Sequence, residues 1–100
     1  MTQLEKYGAI ILSINRGLWG EVTPSLRLVQ VSFDNESIRI YFYFARQPSD
    51  EEVESTRIVG TSVAADFPSY QVAEQLAVAA SSASVPKIDG RHTVFMAKDA

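Results

Sequence analysis

Apolar and polar positions alternate most strictly from Glu36 to Arg46, ESIRIYFYFAR, and the rest of the chain can be read outward from this stretch. Ile38, Ile40, Phe42 and Phe44 fall on one side of a period of two, while Arg39, Tyr41, Tyr43 and Ala45 fall on the other. β-Branched and aromatic residues at this density favour a pleated strand over a helix. One side is apolar enough to need a covering layer of helices. The other, with its tyrosines, is the first place to look for a partner.

Upstream, Leu4, Tyr7, Ile11, Ile14 and Leu18 recur at steps of three and four and predict a helix from Thr2 to about Trp19. Ile10, Leu12 and Trp19 widen that inner stripe, and Glu5, Lys6, Ser13 and Arg16 fall on the solvated side. Gly20 stands where a left-handed residue usually ends a helix. Thr23-Pro24 breaks the pattern, and a strand is expected from Ser25 to Phe33. Asp34-Asn35-Glu36-Ser37 supplies turn chemistry. Pairing Phe33 with Ile38, Val31 with Ile40 and Val29 with Phe42 gives one dry face; Ser32, Gln30 and Leu28 then meet Arg39, Tyr41 and Tyr43. A slip by one residue would set Val31 against Arg39.

Ser49 followed three residues later by Glu52 is a capping box, and Asp50, Glu51 and Glu52 complement the dipole of a second helix. Val53, Thr56, Val59, Gly60, Val63, Ala64 and Phe67 form its inner stripe, with the Gly60/Ala64 pair allowing close approach of a neighbour. Pro68 stops it. Tyr70 to Val78 alternates as a strand does, although its alanines and Gln75 also suit a helix; it reads as a strand. Ala79 to Gly90 is a long loop, and His92 to Ala97 a last strand. The resulting order is α-β-β-α-β-β, two helix-plus-hairpin halves. The expected class is an α+β domain spanning the chain, with a mainly antiparallel sheet and both helices on one face.

Composition narrows the chemistry. The absence of cysteine excludes disulfides, thiolate metal sites and cysteine nucleophiles, and fits a reducing compartment, so the cytoplasm is expected. The amino-terminal apolar run is short and runs straight into Asn15 and Arg16, so no membrane-crossing or signal segment is expected. Nine basic against twelve acidic residues give a net charge of −3, which weighs against nucleic acid and favours a basic protein as partner. His92 stands alone, so neither a histidine metal site nor a catalytic triad has a recognisable signature; no cofactor, metal or catalytic residue is expected.

Two groups remain as partner-binding candidates. Arg39, Tyr41 and Tyr43 share one strand face, and tyrosine supplies rigid contact area with a polar tip. Their likeness to base-stacking platforms is opposed by the net negative charge. Glu51 and Glu54 point away from the inner stripe of the second helix, and Glu54 is not needed for capping. Such acids steer basic partners.

LWGEVTPSLR (Leu18 to Arg27), IRIYFYF (Ile38 to Phe44) and ADFPSY (Ala65 to Tyr70), taken together and in this order, resemble a family of small bacterial α+β proteins that includes immunity proteins of contact-dependent growth inhibition, a polymorphic toxin system. The resemblance implies a non-enzymatic protein that binds and blocks a cognate toxin domain, often a nuclease, and it favours the strand reading of Tyr70 to Val78. The other reading is a small structural or homo-oligomeric interaction domain, for which a homodimer is the simplest form.

Overall fold

The computed structural model describes residues 2–85 and 87–97. Helix α1 (Gln3–Leu18) is followed by strands β1 (Leu26–Phe33) and β2 (Ser37–Phe44), helix α2 (Asp50–Asp66), and strands β3 (Gln71–Val78) and β4 (His92–Met96). The order α-β-β-α-β-β and the α+β class are as the sequence predicts. Pro86, within the predicted loop, lies outside the described residues.

The β1–β2 hairpin has the expected register, with Phe33 opposite Ile38, Val31 opposite Ile40, Val29 opposite Phe42, and Ser32, Gln30 and Leu28 opposite Arg39, Tyr41 and Tyr43. An irregularity between Leu26 and Leu28 shifts the last pair, Leu26 with Phe44, by one. The hairpin turn is fastened by Asp34, whose Oδ1 accepts from the backbone N–H groups of Glu36 and Ser37 at 2.7 and 2.8 Å. These bonds hold its carboxyl below the usual aspartate range.

Strand order is β3-β2-β1-β4, with β3 parallel to β2 and β4 antiparallel to β1. The expected second hairpin is therefore absent: β3 and β4 lie on opposite edges of the sheet. The connection from 79 to 91 is too long and irregular for a tight turn, and instead carries the chain from one edge to the other. Along β3, Val72, Glu74 and Leu76 share the helix-covered side with Ile38, Ile40 and Phe42.

One core lies between the helices and the sheet, built from Ile10, Ile14 and Leu18 of α1, Val59 and Val63 of α2, and Val29, Val31, Ile38, Ile40, Phe42 and Phe44. Ile11 packs on its rim. Both helices start in full capping boxes, Thr2 with Glu5 and Ser49 with Glu52. Gly20, at φ +84°, makes the left-handed turn that follows α1.

The buried stripe of α1 is rotated from its expected position. Lys6, Ile10, Ser13, Ile14, Gly17 and Leu18 face inward, while Leu4, Leu12 and Trp19 are 80, 57 and 89% exposed. Two polar residues make this rotation possible by finding partners. Lys6 sets its ammonium over the rings of Phe33 and Tyr70, 5.6 and 5.0 Å from their centroids, and donates from Nζ to the Asp34 carbonyl at 2.7 Å and to Asn35 Oδ1 at 3.3 Å. Ser13 donates to Asp66 Oδ2 at 2.7 Å, tying α1 to the end of α2.

Candidate partner-binding surfaces

The sheet has one face under the helices and one that they do not cover. Strand alternation places Arg39, Tyr41 and Tyr43 on the uncovered face, beside Leu28, Gln30 and Ser32 of β1 and Ala73, Gln75 and Ala77 of β3. Leu28, Gln30 and Tyr41 are nonetheless buried. They are covered by the connection between β3 and β4, which crosses this face. Ala83, Val85 and Lys87 of the connection border a shallow hollow with Leu28, Gln30, Thr93 and Met96.

Arg91 ends the crossing and fixes the tyrosines. Its guanidinium lies 3.7 Å from the Tyr41 ring centroid and donates to the Tyr43 hydroxyl at 2.7 Å. The Tyr41 hydroxyl is 2.8 Å from Ser32 Oγ. Tyr41 is thus a buried support, Tyr43 is half-buried, and Arg39 is exposed. Stacking of a guanidinium on an aromatic face, with both hydroxyls partnered, holds the group in one arrangement before any partner arrives. Sequence reasoning missed Arg91, because nothing local signals that a residue at a strand start will fold back over tyrosines about fifty positions earlier in the chain. Gln30 Oε1, buried beside this group, is without a hydrogen-bond partner.

The acidic start of α2 divides into structural and free parts. Glu52 is buried and holds the end of the sheet to the helix. It accepts from Thr23 Oγ1 at 2.7 Å, from Arg46 Nη1 at 2.9 Å, from the Ser49 N–H at 3.0 Å, and from the Ser25 hydroxyl. These bonds, that from Ser25 foremost, bring its pKa down from 4.5 to about 2. Asp50, Glu51 and Glu54 are exposed. Glu54 stands 3.6 Å from Arg57 in an exposed pair of little energetic weight.

The two predicted groups do not form one site. Glu51 and Glu54 belong to the helix layer, and Arg39, Tyr41 and Tyr43 to the opposite face of the sheet. His92 begins β4 and meets the Tyr7 ring edge-on at 4.7 Å, in an aromatic contact with α1. Among the described residues, no three of His, Asp and Glu come together as metal ligands do, and no helix is long and apolar enough to cross a membrane.

No curated protein matches the chain. A family model does, over residues 7–99, a span running from the first helix through all four strands. The resemblance carried by three short segments thus extends across the fold, and the chain belongs to the MafI2 immunity protein family.

Proposed function

We propose that this immunity protein neutralises a nuclease toxin domain with a basic surface by binding it, in the cytoplasm, without chemistry of its own. The family match over residues 7–99 carries the reading, since immunity requires a cognate toxin. The charge supports a basic partner: the protein has net charge −3, and the exposed carboxylates of Asp50, Glu51 and Glu54 are not consumed by the fold as that of Glu52 is. A nuclease must attract phosphates and so presents positive potential to an acidic inhibitor.

Two surfaces divide the work in this proposal. Glu51 and Glu54 steer the encounter, where long-range charge acts mainly on the association rate. Tyr43, whose hydroxyl accepts from Arg91, and the exposed Arg39 supply a contact patch on this face, where loss of an anchor acts mainly on dissociation. The test is kinetic, with the purified cognate toxin domain. Glu51→Lys with Glu54→Lys should slow association and flatten its salt dependence. Tyr43→Ala should leave association within a few-fold and speed dissociation. Wild-type kinetics from every folded variant would move the toxin to another surface.

A further inference from the structure

The two edges of the sheet differ. β4 has five residues, a register shift against β1, and contact with α1. Short length, irregularity and cover are ways in which proteins protect a sheet edge from pairing with another chain. β3 shares only the last, in its contact with α2. Its eight residues, QVAEQLAV, run in unbroken register along β2 and contain neither proline nor lysine.

The outward-facing groups of β3 can be assigned. Gln71 N–H donates to Glu36 and Ala79 N–H to Phe44, so the odd-numbered residues bond to β2. By strand alternation, the N–H and C=O groups of Val72, Glu74, Leu76 and Val78 face away from the sheet. The one charge in the strand lies on the helix-covered side and not in that outward row. The Glu74 side chain turns inward beneath α2, into space that exists because residue 60 is glycine: a Cβ there would lie 2.5 Å from the carboxyl carbon. On the other side Ala73, Gln75 and Ala77 are exposed, uncharged and mostly small.

We infer that the free edge of β3 pairs with the same edge of a second copy of this chain, antiparallel, about a two-fold axis at Gln75. This register uses all four outward residues, setting Val72 opposite Val78 of the partner subunit and Glu74 opposite Leu76 of the partner subunit. Ala73 then meets Ala77 of the partner subunit, and no like charges are opposed. An axis at Glu74 would place two carboxylates face to face, and a one-residue slip would pair the helix side of one copy with the uncovered side of the other. The Gln75 axis alone pairs all four outward residues with one another, and the pairing is self-complementary, as a two-fold interface requires. The product is one continuous eight-stranded sheet with β4 at both ends.

The test is light scattering and sedimentation equilibrium on the full chain across a concentration series reaching about 1 mM, the weak end of specific association. The wild-type protein should dimerise. Gln75→Lys and Gln75→Glu, exposed substitutions that leave the bonds to β2 in place, should each weaken the dimer by about tenfold or more by opposing like charges at the axis. An equimolar mixture of the two variants should restore it. A wild-type monomer throughout the series, a dimer insensitive to both substitutions, or a mixture no tighter than either variant alone would overturn the pairing. None of these outcomes depends on toxin binding, which is read separately with the toxin domain.

Discussion

The Glu74 carboxyl on β3 sits so close to Gly60 on α2 that a methyl group at residue 60 would come within 2.5 Å of its carboxyl carbon and 2.7 and 2.9 Å of its oxygens. Alanine is worth about 1 kcal/mol over glycine inside a helix. That gain is opposed here by displacement of the Glu74 side chain. Gly60→Ala should therefore stabilise the protein by about 1 kcal/mol in a Glu74→Ala background and by clearly less in the wild-type one. Urea melts of the four proteins give the coupling.

The same burial raises the Glu74 pKa above 4.5, against the opposing pull of its own backbone N–H and of Arg57. A raised folded-state pKa contributes stability that is fully present below the unfolded value and lost as pH rises through the folded one. Glu74→Gln should accordingly raise the denaturant midpoint near pH 7 more than near pH 4.

Glu52 works in the opposite sense. Its pKa, lowered from 4.5 to about 2, contributes stability present above about pH 4.5 and lost as pH falls toward about 2. Glu52→Gln should cost about 1–3 kcal/mol near neutrality, because donors from Thr23, Ser25 and Arg46 lose a charged acceptor. It should also flatten the acid limb of the stability curve. Acid unfolding that is unchanged in the variant would remove Glu52 from the account.

The rotation of α1 is open to a direct comparison. Ile10→Ala, at a fully buried position, should cost about 2–5 kcal/mol, whereas Leu12→Ser should change stability by no more than about 0.5 kcal/mol. Equal losses would restore the stripe expected from spacing. Phe42→Ala, at the centre of the core, should cost about 3–5 kcal/mol.

These contrasts show where the sequence was legible. The hairpin register could be read because a period of two leaves one arrangement in which Val31 and Ile40 meet on a dry face. The Ser49–Glu52 box is equally plain, and the Thr2–Glu5 box carries the same local signal. The orientation of α1 was not legible: its apolar residues surround most of the helix, and the deciding contacts, Lys6 to the hairpin turn and Ser13 to Asp66, are made with residues far along the chain. Strand order was hidden for a related reason, since a long connection between β3 and β4 fits a hairpin or a crossover equally well until the whole sheet is assembled. For the candidate surface, alternation placed Arg39, Tyr41 and Tyr43 on one face. It gave no sign that Arg91 would stack on Tyr41 and leave that ring buried.

Growth of cells co-expressing this protein with its cognate toxin tests immunity itself. Wild-type protein should restore growth, and the folded Glu51→Lys/Glu54→Lys/Tyr43→Ala variant should restore it poorly. Cells that still die while the wild-type protein is folded, soluble and expressed in excess over the toxin would contradict the account.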